Sequence, residues 1–241
     1  MSFAIKKHIK LFRSEIVNFH WIIWIFTKIA QELCLNKLMS QLITHDSDIR
    51  RATWKMIENQ SSLMTPDVKI LDELDICGEV RADIAVINGH LTGYELKSES
   101  DNLDRLPRQI EYYSKVMDYC NLVVAPNHLE QSLEMLPGFW GIYVARTSQR
   151  GNVFLRKYRS AHTNKTRVDP YSVVQFLWKD EALDVLRQYG LSKGLYNRQR
   201  SYIWERIVQN FTLSQIRLIV RIKLKDRQNW HDESNYCNSA N

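Results

Sequence analysis

The feature that most constrains this chain is a pair of short alternating segments on either side of Asn88-Gly89. Residues 81–87, RADIAVI, and 91–97, LTGYELK, each alternate as strands do. Asn-Gly between two such runs is a strong hairpin signal. With a two-residue loop, Ile87 pairs with His90 and Asp83 faces Tyr94, which separates Asp83 from Glu95. A bulge at Gly93, or a three-residue loop over 88–90, shifts the count by one and brings Asp83 opposite Glu95. Glu95 and Lys97 are two apart, so they share a face. Two carboxylates and an ammonium on one face are costly to bury unless they hold a cation. Oxygen donors without His or Cys select Mg²⁺ or Mn²⁺. The plainer reading is a surface hairpin with a Lys–Glu pair, but the flanking strands are too apolar for a fully exposed sheet.

The surrounding pattern extends this hairpin into a fold. Asp46 or Ser47 caps a helix to about residue 60, and residues 68–76 alternate as a strand that Gly78 ends. Pro107 suits the first turn of a helix to about 119. Residues 121–125 read as a short buried strand, followed by a helix near 127–135 and a hairpin from 140–146 to 152–158. From Asp169-Pro170 onward the chain is helical, with Gly190 placed to end the first helix. A second helix covers about 198–210, and Thr212 with Gln215 opens a third as a capping box. The expected fold class is α/β, with an α-β-β-β-α-β core, a mixed sheet flanked by helices and a helical C-terminal region. The expected organisation is an apolar extension over 1–45, a core over 46–160, a basic helical region over 161–230 and a frayed tail over 231–241.

Asp83, then Glu95-Leu96-Lys97, on the second and third strands of such a core resembles the PD-(D/E)XK nuclease superfamily, whose core is restriction-endonuclease-like. Gln109 and Tyr113 in the following helix form a Gln-x-x-x-Tyr pattern similar to the RecB-like branch. Residues 73–125 more closely resemble a bacterial group within that superfamily, of uncharacterised function, associated with phages and mobile elements. The resemblance spans roughly 45–230. It implies that Asp83, Glu95 and the Leu96 carbonyl ligate the metal and that Lys97 is the catalytic lysine. It also points Gln109 at the scissile phosphate, with Tyr113 as a supporting nucleic-acid contact. Ala82 stands where the pattern often has Pro. A further acid in the first helix would have to be Glu58, a poor match. Glu73 is a better further acid, or else a salt-bridge partner of Arg81. Arg105 and Arg108 are phosphate contacts or solvated surface.

Charge is unevenly divided. The chain carries 33 Lys and Arg against 27 Asp and Glu, net +6. Residues 1–145 are net −4 and residues 146–241 net +10. An acidic site attached to a positive field suits a protein that handles a polyanion. In the last helix Arg217 and Arg221 alternate with apolar residues, as in a recognition helix or a bundle helix with a basic outer face. The four cysteines form no CxxC pair, so a zinc finger or thioredoxin-type site is excluded as a sequence reading, and the seven histidines form no HxxxH or HExxH pattern and read as structural. No Gly-rich phosphate loop is present, so no nucleotide cofactor is expected. Residues 16–30 are apolar but short of a span and carry Asn18, His20 and Lys28. The favoured reading is an amphipathic helix packed on the body or a partner. The rivals are an over-extended gene start, with Met39 as the natural first residue, and weak membrane association.

These readings converge on a cytoplasmic, Mg²⁺- or Mn²⁺-dependent nuclease acting on DNA, with RNA an open alternative. A second reading is a nucleic-acid-binding or regulatory protein on the same fold without turnover. A third is a defence or toxin subunit whose cleavage requires a protein partner or a second copy docked through 1–38.

Overall fold

The computed structural model describes residues 44–61, 67–148 and 151–227, together with Lys28. Expectations for the N-terminal extension, including its docking role, and for the tail over 231–241 therefore lie outside the described residues. The chain divides into two compact units, Thr44–Arg146 with Val153 onward, and Met1–Ile43 with Thr147–Asn152. The sheet core, the site and the helices given ranges below belong to the first.

Helix α1 (Asp46–Ser61) begins where the His45 carbonyl accepts the Asp48 and Ile49 N–H groups. Two acids in its first turn, Asp46 and Asp48, suit the positive end of the helix. Three strands follow, β1 (Lys69–Ile76), β2 (Val80–Ile87) and β3 (Leu91–Lys97). Helix α2 (Leu106–Val116) leads to β4 (Tyr119–Val124). Helix α3 (Leu129–Met135) leads to β5 (Gly141–Thr147) and then β6 (Val153–Arg159). The strands form one sheet in the order β1-β2-β3-β4-β5-β6. Pairing is antiparallel between β1, β2 and β3 and parallel from β3 through β5, so the fold is mixed α/β. The two parallel steps need crossovers, which α2 and α3 supply.

Alternation along the strands sorts the core onto two faces. Ile84, Val86, Tyr94, Leu96, Val123 and Tyr143 pack with Ile49 and Ile57 of α1. Ala85, Ile87, Leu91, Leu122, Val124 and Ile142 pack with Leu106, Ile110 and Tyr113 of α2. The C-terminal helices α4 (Pro170–Val174), α5 (Lys179–Gln188), α6 (Arg200–Asn210) and α7 (Leu213–Asp226) join this second cluster through Val173, Leu186, Ile203, Trp204, Ile216 and Val220. The helical region thus shares the core of the sheet. At about 1.5–3 kcal/mol for each large apolar side chain buried, this shared face is a main source of stability.

Where one helix is predicted from 170 to 189, there are two. Trp178 is extended, and its N–H donates to Glu181 Oε2 at 2.8 Å, restarting the helix. Two predicted caps hold: Asp169 Oδ2 accepts the Ser172 N–H at 2.7 Å, and Thr212 and Gln215 form a reciprocal box. The cap expected at Asp46 or Ser47 does not, because α1 opens after His45 and both residues lie within it. Lys69 at the start of β1 donates to the Lys225 carbonyl at 2.8 Å and to the Arg227 carbonyl, and Lys225 pairs with Asp67 at 2.6 Å. The last turn of α7 is thereby tied to the edge strand β1. Among the described residues no helix is long and apolar enough to cross a membrane.

Candidate active site

The register settles the question the sequence left open. Ile87 pairs with Leu91 and Ile84 with Tyr94, so the loop is three residues, 88–90. Carried one residue past the last pair, this register sets Asp83 across from Glu95, on the α2 face. Gly93 is not a bulge; it pairs regularly with Ala85. Its lack of a side chain serves α2 instead. A Cβ at 93 would sit 2.9 Å from two ring carbons of Tyr113. The bare backbone lets that ring lie close against β3 and bring its hydroxyl to Glu95.

Next to Ile84 the β1–β2 ladder is interrupted for one pair. The β1–β2 ladder pairs Asp72 with Ile84 and Leu74 with Ala82, but skips Glu73 and Asp83 between them. Glu73 has φ 54°, in the left-handed region that residues with a side chain seldom adopt. The gap frees the Asp83 backbone, whose carbonyl accepts from Arg50 Nη1 at 2.9 Å and whose N–H donates to Tyr113 Oη at 3.3 Å. The Asp83 carboxylate accepts from the Leu96 N–H at 2.7 Å through one oxygen and from Arg50 Nη2 at 3.2 Å through the other.

Glu95 is buried, with 1% of its side chain exposed, and both its oxygens are engaged. Lys97 Nζ donates to Oε1 at 2.7 Å, Gln109 Nε2 donates to the same oxygen, and Tyr113 Oη donates to Oε2 at 2.7 Å. Gln109 Oε1 is buried without a hydrogen-bond partner. Burial, and then the neighbouring Glu95 charge, push the Asp83 carboxyl up to about 7. Burial also raises Glu95 above the usual carboxylate range, against the pull of Lys97. Two neighbouring acids, both raised by burial, mark a place where positive charge is wanted.

Above them opens a cleft of about 730 Å³. Arg105 and Arg108 line it from the start of α2, with Arg81, Lys97 and Gln109. Arg108 is ion-paired with Glu79. Acids outnumber bases on its wall, with Asp46, Glu73, Asp75 and Glu79 beside the two central carboxylates. A phosphate backbone enters such a cleft only with cations to accompany it.

Arg50 is the site residue the sequence did not reveal. Its guanidinium meets Asp46 at 3.3 Å, Asp72 at 3.4 Å, Glu73 at 3.1 Å and Asp83 at 3.2 Å. The Asp46–Arg50 spacing of four reads as an ordinary helical pair, and only the docking of α1 shows the other three partners. Glu58, the candidate acid of the first helix, is exposed and does not line the cleft. Glu73 lines the cleft and is ion-paired, at 3.1 Å with Arg50 and 3.8 Å with Arg81.

Two further expectations are corrected. Tyr113 is fully buried, stacked at a tilt 5.5 Å from Trp140, so it organises Glu95 and cannot touch nucleic acid. Arg217 and Arg221 face inward, 3.1 and 3.5 Å from buried Asp118. They hold α7 to the start of β4 rather than presenting a recognition surface.

The donor set fits a hard divalent cation in kind: two mutually repelling carboxylates and an amide oxygen without a partner. Among the described residues no group of three or more His, Cys, Asp or Glu side chains converges as a ready-made metal cage. The third acid expected there, Glu73, is held by Arg50 instead.

Residues 46–239 match the family described as Bacteriophage P4 protein cII. Protein cII of Enterobacteria phage P4 is 27% identical over 173 residues, which cover 71% of this chain and 63% of that protein. The chain thus spans less than two thirds of the length of that relative. Among solved structures, the SPO1766 protein of unknown function from Silicibacter pomeroyi is similar at a TM-score of 0.39 and 16% identity, over 65% of this chain and 99% of that one. The family match opens at the first residue of α1 and runs through every strand and helix described above, so the chain belongs to the Bacteriophage P4 protein cII family.

Proposed function

We propose that the cleft hydrolyses phosphodiester bonds, most directly in DNA, on a restriction-endonuclease-like core of the PD-(D/E)XK kind. The observation that carries this reading is the opposition of Asp83 and Glu95 on one face, with Lys97 at 2.7 Å from Glu95, beneath an open cleft. Asp83, Glu95, the Leu96 carbonyl and Gln109 Oε1 are the groups that would hold Mg²⁺ or Mn²⁺. When bound, such an ion polarises a phosphoryl oxygen and lowers the pKa of bound water. The rest falls to the chain. Lys97 places positive charge where negative charge develops. Tyr113 and Gln109 fix the Glu95 carboxylate, and Arg105 and Arg108 steady the backbone at the cleft edge.

The second reading, a nucleic-acid-binding protein without turnover, draws on a different observation. Glu95 already receives three protein donors, and Arg50 already serves Asp83. One experiment divides the two. The full chain is incubated with plasmid, linear duplex, single-stranded and branched DNA, and RNA, each with and without Mg²⁺ or Mn²⁺. The nuclease reading expects metal-dependent cleavage that Lys97→Ala reduces by about 10²–10³-fold, as for loss of one charge-stabilising group. Wild type that cleaves nothing with either ion leaves the binding reading. Cleavage unchanged in Lys97→Ala shows that another group carries the chemistry.

A further inference from the structure

A second cavity of about 310 Å³ lies beside the cleft, and Asp75 at the end of β1 and Gly78 in the following turn line both. Its walls are of another kind. Phe176, Trp178 and Trp204 supply aromatic surface, and Gln175 and Arg200 supply donors. Both indoles are anchored. Trp204 donates to the Leu177 carbonyl at 3.1 Å, and the Arg200 guanidinium lies 4.6 Å over its ring. Arg227 lies 3.9 Å over the Trp178 ring and is itself fixed by Glu181 at 3.0 Å. The volume sits at the lower end of the range for small-ligand pockets, about 300–1,000 Å³.

The sequence just before Trp204 carries more such residues, outside the cavity wall. Tyr196 is 75% exposed and Tyr202 42%, with Arg198 stacked 5.2 Å over Tyr202. Aromatic planes interleaved with guanidinium groups are how proteins hold unpaired nucleotides: the base stacks and the cation meets the phosphate. A base in a duplex reaches such a recess only by leaving its stack.

We propose that this cavity receives one unpaired base adjoining the bond held in the cleft, so that the substrate is single-stranded nucleic acid or a frayed or flipped strand. The substrate claim rests on the nuclease reading of the cleft, whereas base binding can be measured without it. The test uses the full chain in EDTA. Fluorescence anisotropy compares a labelled single-stranded oligonucleotide with the same sequence as a blunt duplex. Wild type is expected to favour the single strand by about tenfold or more, the worth of one stacked base. Arg200→Gln and Trp178→Ala should each weaken single-strand binding about 5- to 100-fold, bring it near the duplex value, and leave the thermal melt cooperative. Trp178→Phe, which keeps an aromatic plane, should retain most of the preference. Equal affinity for the two forms in wild type, or a single-strand preference unmoved in both Arg200→Gln and Trp178→Ala, overturns the proposal. The two readings fail separately. A preference lost in the variants alongside no cleavage by any metal sinks the nuclease and spares the base pocket. Metal-dependent cleavage alongside an unmoved preference does the reverse.

Discussion

Asp83 and Asp118 make the same first contact and end up in opposite roles. Each carboxylate accepts a backbone N–H of β3, Asp118 at its start from Leu91 at 2.8 Å and Asp83 at its end from Leu96 at 2.7 Å. Asp118 then has Arg217 and Arg221 as partners and is 6% exposed. Asp83 shares one guanidinium with Asp46, Asp72 and Glu73, faces Glu95, and is 21% exposed. An acid with two cations of its own is spent on structure. An acid with a quarter share in one cation, opposite another acid, is held ready for something that arrives.

The largest expected effect breaks that contrast from the structural side. Asp118→Ala leaves two guanidinium groups uncompensated and should cost about 3–5 kcal/mol of unfolding free energy in urea. Asp83→Ala should cost far less. If the two losses match, the distinction between a spent and a ready acid is wrong.

The next effect is pH dependence. The folded-state pKa of Asp83, about 7, is above the unfolded value near 3.8, so the native chain holds that proton more tightly than the unfolded chain does. The associated stability is present below about pH 4 and is lost as pH rises to about 7, at most about 4 kcal/mol by linkage. Glu95 is shifted in the same direction and adds to the slope. Melts from pH 4 to 8 in EDTA should therefore fall in wild type and flatten in Asp83→Asn. Adding Mg²⁺ at pH 8 should restore stability to wild type more than to Asp83→Asn.

Gly93→Ala probes the contact between β3 and α2. The new methyl group must displace the Tyr113 ring, for about 1–3 kcal/mol of overpacking. Melting curves and the rate of any cleavage should decline together, since the same ring carries the donor to Glu95. The smallest effect sharpens the comparison at the surface. Arg108→Gln removes an ion pair that is 61% exposed on its arginine side, and should change stability by less than about 1 kcal/mol, less still in high salt. A larger loss in urea titrations would mean that the cleft edge is structural.

The hairpin, its acids and its lysine were legible because period-two alternation is local. The loop length was not, since Asn-Gly also sits within a three-residue turn. Gly93 was legible as special but for the wrong reason, because its purpose lies on a helix twenty residues on. Arg50 hid in a helical pair with Asp46, and Arg217 and Arg221 hid in an amphipathic pattern. In both cases the deciding partner is distant in sequence: Asp83 for the first, Asp118 for the others. The break at Trp178 was missed because Glu181 caps a residue type that seldom starts a helix.

The tether from Lys69 to the carbonyls of Lys225 and Arg227 has a consequence for synthesis. Its ends are separated by 156 and 158 residues. A chain emerging vectorially from the ribosome completes β1 early, yet cannot close this clasp until almost the whole described fold has emerged. Contacts of such separation form slowly and late. Through translation β1 is the outer strand of a growing sheet, with its far edge open to other chains. Premature termination anywhere before α7 therefore leaves β1 without this clasp, and shortened products should unfold at lower denaturant than the full chain.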